Sequence, residues 1–244
     1  MQVLISAMPK PEHPYDLLDR LRRFDTCTLS NAIERLEIRP RNEGFMSGKM
    51  SCIFPQMPPV IGFAVTGRMR SSMPPVRGKC YYEHIEWWRY VAGVAGPKIV
   101  VVHDADHAAG TGALFGEAYA RISRKLGCVA CVTNGAVRDV PGIEAIGFQV
   151  FARGFSVSHA YAHVVDFGEP VEIGGLRIGP GDLLHADLHG VHVIPAEGID
   201  RLESLAQDVL RDDRDLFCLT ERKDFSVDLL AAKLAQAKSR NLCK

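Results

Sequence analysis

Neither sign of charge is in excess. Lysine plus arginine and aspartate plus glutamate both number 29, so the formal net charge is zero. Nothing in that balance recruits a nucleic acid or an anionic membrane surface. No apolar run approaches the ~20 residues a membrane-spanning helix needs. The first stretch, MQVLISAMPKPEHP, has no basic start and no signal-like apolar core, which makes the cytoplasm the expected location. The glycines at 110, 112 and 116 do not fit G-x-G-x-x-G. No acidic residue closes a following strand about 20 residues on, so a dinucleotide fingerprint is not expected. Internal repeats and low-complexity segments are missing as well. Trp87 and Trp88 sit together without an interleaved basic run, which favours core packing or subunit contact over a base-stacking platform.

Cysteine is present, but not as a disulfide framework. The seven cysteines are odd in number and scattered, as suits free thiols in a reducing compartment. Cys128 and Cys131 form a C-x-x-C pair inside an apolar strand, where an odd spacing is expected to send the two side chains to opposite faces. A buried structural role is therefore expected for both.

The 244 residues, 47% of them hydrophobic, suffice for one substantial core. The expected organisation is a single domain over 1–244, with a helical lead-in over about 1–36 and a helical extension over about 199–244. Helices are expected at 15–24 and at 28–36, with Asp25-Thr26 ending the first or capping the second and Ser30 as the other cap, and another helix within 81–90. Residues 39–59 read as irregular, 60–69 as a strand and 73–78 as a loop. Short strands at 171–173, 176–178, 183–186 and 191–194 are separated by Gly174-Gly175, Gly179-Pro180-Gly181 and His189-Gly190. They imply an antiparallel layer, and helices at 199–213 and 227–239 follow. Strands and helices that alternate early and give way to hairpins argue for an α/β fold with a mixed sheet and flanking helices.

The chemistry concentrates in residues 98–139. A β-branched strand at 99–102 runs into Gly110, Gly112 and Gly116, then a helix that Gly127 stops. A second strand at 128–133 follows, then an Asn134-Gly135 turn, then Arg138-Asp139. Backbone N–H groups at a helix start favour carboxylate or phosphate, and an arginine at a strand end adds a planar two-donor fork. Asp139 offers the hard oxygen that Mg²⁺ or Mn²⁺ takes, and Glu117 in the first helical turn offers another. Surface charges would produce the same Arg-Asp pair. Of nine histidines, His103 and His107 follow the first strand, and one of them is expected to line a pocket. His159 and His163 could bind zinc if helical, although no H-E-x-x-H frame surrounds them. His185 and His189 are expected to satisfy local hydrogen bonds.

The segment from Gly116 to Asp139, G-E-A-Y-A-R-I-S-R-K-L-G-C-V-A-C-V-T-N-G-A-V-R-D, resembles the signature of the RraA-like family. The block from Pro170 to Asp182, with Asp187 and 190–195, is similar to a second family stretch, and the likeness spans roughly 20–225. That family includes class II pyruvate aldolases, which act on 4-hydroxy-4-methyl-2-oxoglutarate, and the regulator of ribonuclease E activity. The resemblance implies a swivelling β/β/α fold and a trimer or hexamer with sites between subunits. It also implies a divalent-metal-dependent lyase that cleaves a 4-hydroxy-2-oxo acid to pyruvate, with oxaloacetate decarboxylation as a related activity; the alternative is a non-catalytic regulator. On that pattern Asp139 holds the metal, Mg²⁺ first and Mn²⁺ as the other ion. Arg138 and Glu117 are catalytic, and Gly116, Glu117, Ala118 and Arg138 meet the small 2-oxo acid. Neither nucleic acid nor membrane is implied as a partner. Two departures stand out. Asn31 replaces a usual aspartate. Gly142 stands where the aldolases prefer an acid, with Glu144 two residues on. Glu221 is the best local candidate for a carboxylate given to a neighbouring subunit.

Overall fold

The computed structural model describes residues 15–47, 50–76 and 84–242. The lead-in over 1–14 and the start of the helix expected within 81–90 lie outside the described residues, as do positions 77 and 78 of the expected loop. The chain begins with α1 (Asp16–Leu21) and α2 (Thr26–Glu34), then β1 (Ser51–Cys52), β2 (Val60–Arg70), α3 (Ile85–Gly93) and β3 (Lys98–Asp104). Next come β4 (Ala113–Phe115), α4 (Glu117–Lys125), β5 (Cys128–Val137), α5 (Val140–Ala145), β6 (Gln149–Phe155) and β7 (His163–Phe167). The short strands β8 (Val171–Ile173), β9 (Leu176–Ile178), β10 (Leu183–Asp187) and β11 (Gly190–Ile194) follow, and the helices α6 (Ile199–Thr220) and α7 (Val227–Leu242) end the chain.

Nine strands make one mixed sheet in the order β1-β6-β5-β3-β2-β10-β11, with β4 added to β5 and β7 to β2. β2, β3, β5 and β6 run parallel at its centre. Their residues are apolar on both faces because both faces are covered. Val100, Val102 and Val137 join Trp87, Tyr119, Phe148 and Ile143 on one side. Ile99, Val101, Ala130 and Val132 pack on the other against Val171, Ile173, Leu176 and Ile178 of the β8–β9 hairpin. The sheet curls nearly closed, barrel-like, with helices flanking it. A third apolar group joins Leu18, Leu21, Leu29 and Ile33 to Leu202, Ala206 and Val209 of α6.

Several local expectations are corrected. Of the two caps the sequence offers, Asp25 and not Ser30 starts α2, so the helix begins at Thr26: the Asp25 carboxylate accepts from the Thr28 N–H at 2.6 Å. The buried Asp187 accepts from the Thr26 N–H and hydroxyl at 2.8 and 2.6 Å, tying the helix start to β10. Asn134-Gly135 does not turn the chain, and β5 continues through both to Val137. The Asn134 side-chain amide holds the Asp104 backbone on both sides, accepting from its N–H at 2.7 Å and donating to its carbonyl at 3.0 Å. That clamp carries the β3–β5 contact past its last ladder pair, Val102 with Thr133, while on the other edge of β5 the register with β6 slips between Thr133 and Ala136. Cys128 and Cys131 share one face, not two, because the β3–β5 register skips Val129. Both are buried, and burial pushes the Cys128 thiol up to about 12. All five cysteines among the described residues are free.

Candidate active site

Each predicted site residue lies where β4, β5, α4 and α5 meet. The Arg138 N–H donates to the Phe115 carbonyl at 3.0 Å, which joins the end of β5 to the residue before Gly116. Gly116 caps α4 in extended conformation with no side-chain cap. The Glu117 N–H, an orphan donor of the helix start, instead takes the Asp139 Oδ2 at 3.3 Å. The other carboxylate oxygen of Asp139 accepts from Arg138 Nε at 3.3 Å. Asp139 itself stands in the left-handed region, φ 54 and ψ 37, as the first cap of α5. Aspartate tolerates that conformation better than most residues, and it turns the side chain back toward α4.

The structure thus brings Arg138, Asp139, Gly116, Glu117 and, next in α4, Ala118 to one place. Arg138, Asp139 and Glu117 side chains stay 28%, 39% and 38% exposed, so all three face open space rather than core. Two partners were not anticipated. Arg121, one helical turn along α4, donates through Nε to Glu117 Oε1 at 2.7 Å; that i,i+4 spacing was readable in the sequence. Gly142, in α5, packs directly against the Glu117 carboxylate, a tertiary neighbour with no sequence signal.

The glycine turn serves a different end from the one expected. The Gly110 N–H donates to Asp104 Oδ2 at 2.7 Å and the Gly112 N–H to Ser71 Oγ at 3.0 Å, so both are spent inside the chain. Gly110 sits at φ 92, which favours glycine. Desolvation of the buried Asp104 raises its pKa, while the N–H groups of Gly110 and Asp106 oppose the rise. Asp106 accepts from the N–H groups of Ser71 and Ser72 at 2.6 and 2.8 Å, and those bonds outweigh its desolvation and lower its pKa. The turn is a braced scaffold for α4.

The histidines fall elsewhere. His103 is half-buried, and its charged neighbours are Asp104, Arg68, Glu172 and Asp166, none of them candidate site residues; desolvation lowers its pKa. His107 is exposed. His159 lies in a loop and His163 opens β7, so no helical pair forms for zinc. His185 and His192 are a buried cross-strand pair with ring centroids 5.4 Å apart. Neither ring nitrogen of His185 makes a hydrogen bond, contrary to expectation; the Phe24 backbone lies near enough to favour its proton but outside bonding geometry. His189 does bond locally, to Asp187 at 3.1 Å. A separate cleft of about 230 Å³, lined among others by Cys27, Asn31, Phe45, His189 and His192, contains no predicted site residue.

Among the described residues no three His, Cys, Asp or Glu side chains gather as a metal cluster. The donors present are two hard carboxylates, Asp139 and Glu117. They fit an ion such as Mg²⁺, which takes one or two protein carboxylates and keeps several waters. They do not fit a closed zinc centre of four nitrogen or sulfur ligands.

Known proteins resemble this chain over most of its length. A Halalkalibacterium halodurans protein, provisionally named a 4-hydroxy-4-methyl-2-oxoglutarate aldolase, is 28% identical over 186 residues, 74% of this chain and 77% of that one. Streptomyces coelicolor RraAS2, described as an unusual member of the RNase ES inhibitor RraA family, superposes with a TM-score of 0.65. Its identity is 24%, over 88% of this chain and all of that one. A solved structure described among novel cellulases from gut-associated microbes matches with a TM-score of 0.69 at 19% identity, over 86% of this chain and 91% of that one. The two structural likenesses establish the fold. The model of the RraA-like family, described as Aldolase/RraA, matches residues 26–193, and the chain belongs to that family.

Proposed function

We propose that this protein is a divalent-metal-dependent carbon–carbon lyase that cleaves a 4-hydroxy-2-oxo acid to pyruvate, and that oxaloacetate, whose decarboxylation passes through the same enolate, is also turned over. The observation that carries the reading is the knot at 138–139: a guanidinium and a carboxylate on consecutive residues, tied to the start of α4 beside a second carboxylate. Asp139 would hold Mg²⁺ or Mn²⁺ directly and Glu117 through water. The bound ion supplies Lewis-acid polarisation of the 2-oxo group. Arg138 presents its fork to the substrate's oxo oxygen. When the C3–C4 bond breaks, the electron pair moves onto that oxygen as an enolate and the C4 hydroxyl passes its proton to water to give the carbonyl product. The arginine donors then meet a full negative charge and bind it more strongly than the ground-state ketone. Protonation at C3 yields pyruvate. Gly116 and Ala118 flank the position proposed for the substrate carboxylate.

The same reading expects a trimer or hexamer with the site at a subunit boundary. Phe155 and Val157, 66% and 95% exposed, support it. They lie at the end of β6, where the Ser156 N–H donates to the Val137 carbonyl beside Arg138. Glu221 is exposed at the end of α6 and so is available to a neighbour.

The test is pyruvate release from a panel of 4-hydroxy-2-oxo acids and from oxaloacetate, with Mg²⁺ or with a chelator. Metal-dependent release on at least one substrate is expected. No release on any would overturn the lyase reading in favour of a non-catalytic protein of the ribonuclease-regulator kind.

A further inference from the structure

The backbone at 142 does not require glycine, and what a side chain there would meet is the Glu117 carboxylate. Gly142 is not among the positive-φ residues. It lies within α5 and donates its N–H to the Asp139 carbonyl at 3.0 Å, as any residue could. A β-carbon there, however, would overlap Oε2 and Cδ of Glu117 outright. The Glu117 carboxylate is therefore seated in a notch over the first turn of α5. One oxygen is held by Arg121 and the other lies against Gly142. Asp139 is braced on the same turn, through its carbonyl to Gly142 and Ile143 and through its carboxylate to the Glu117 N–H. The other nearby acid, Glu144, is engaged with Gln56 Nε2 at 2.6 Å and is not aimed into the notch.

We propose that Gly142 is a positioning residue of the metal site: its missing side chain seats the Glu117 carboxylate beside Asp139, so that α4 supplies the second hard donor in place of an acid on α5. The proposal rests on the lyase reading above. It makes a side chain at 142 and a seated Glu117 mutually exclusive. Glu117 is a flexible side chain, partly exposed, so displacing it costs little folding stability but moves a charged donor away from the ion. Position and stability are thus separable.

Four proteins decide it: wild type, Gly142→Ala, Glu117→Ala and the acid swap Glu117→Ala/Gly142→Asp. They are compared by Mn²⁺ calorimetry, oxaloacetate turnover and thermal melting. Gly142→Ala is expected to melt within about 2–4 °C of wild type, since alanine suits a helix better than glycine. It is expected to bind Mn²⁺ about 10-fold or more weakly, the range for a disturbed outer-sphere group. Excess Mn²⁺ should restore most of its turnover, and its crystal structure should show the Glu117 carboxylate swung out of the notch. The acid swap should bind Mn²⁺ more tightly than Glu117→Ala. Wild-type affinity in Gly142→Ala, an unmoved Glu117 in its crystal structure, or no gain in the swap would each overturn the proposal while leaving the lyase reading standing. A wild type that neither binds Mn²⁺ nor turns over any oxo acid would instead overturn the lyase reading.

Discussion

Asp139 meets two demands at once: a left-handed backbone that turns the chain into α5, and a carboxylate that reaches both the Glu117 N–H and Arg138. Asparagine can adopt the same backbone and keeps the shape without the charge. Asp139→Asn should therefore fold normally, within about 0.5 kcal/mol of wild type by denaturation. Its loss in Mn²⁺ affinity should exceed the roughly 10–100-fold that an outer-sphere change costs; unchanged affinity by calorimetry would remove Asp139 as the ligand. Arg138 calls for a different measurement. A donor aimed at developing charge contributes in the transition state, so Arg138→Ala should lower turnover by roughly 10²–10³-fold. Arg138→Lys should rescue only part, because a point charge cannot copy the fork. Melting curves should barely move, since this side chain is partly exposed and packs no core. Equal turnover in all three proteins would take Arg138 out of the mechanism.

At the scale of elements, the β10–β11 hairpin carries a pH sensitivity unrelated to the site. Burial lowers His185 to about 4 and His192 to about 3, from an ordinary value of 6.5. The fold therefore holds both rings neutral, while the unfolded chain binds protons on them below pH ~6.5. Their contribution is fully present above that pH and is lost as pH falls toward the folded values. Denaturant titrations should show stability falling by about 1.4 kcal/mol per pH unit for each histidine below pH ~6. His192→Leu should remove one proton from that slope and cost little at pH 7, because the buried Nε2 it deletes has no hydrogen-bond partner. A variant with the wild-type slope would show that acid sensitivity arises elsewhere.

For the molecule as a whole, assembly is the measurable quantity. Exposed Phe155 and Val157 at the end of a central strand are costly in a monomer and ordinary in an interface. Light scattering at micromolar protein should give three or six times the 26.9 kDa chain mass. A mass near one chain would exclude a site completed by a neighbour's carboxylate. None of the helices among the described residues is long and apolar enough to cross a membrane.

Local chemistry was enough to read the α/β alternation, the strands at 99–102 and 128–133, the short hairpin strands and the Arg138-Asp139 pair, because each follows from period, turn residues or a contiguous motif. Family resemblance supplied the roles proposed for that pair. What the sequence could not decide depends on residues far apart in the chain. Asn134-Gly135 reads as a turn until Asp104, 30 positions earlier, supplies the backbone its amide clamps. Cys128 and Cys131 read as opposite-facing until the β3 register inserts a bulge. His185 reads as a residue with a local hydrogen bond until strand pairing buries it against His192 and leaves both of its ring nitrogens without one. Gly142 reads as a lost acid until folding lays Glu117 across it. A side chain's own pattern sets its local conformation, but which distant groups share its volume is set only when the sheet closes.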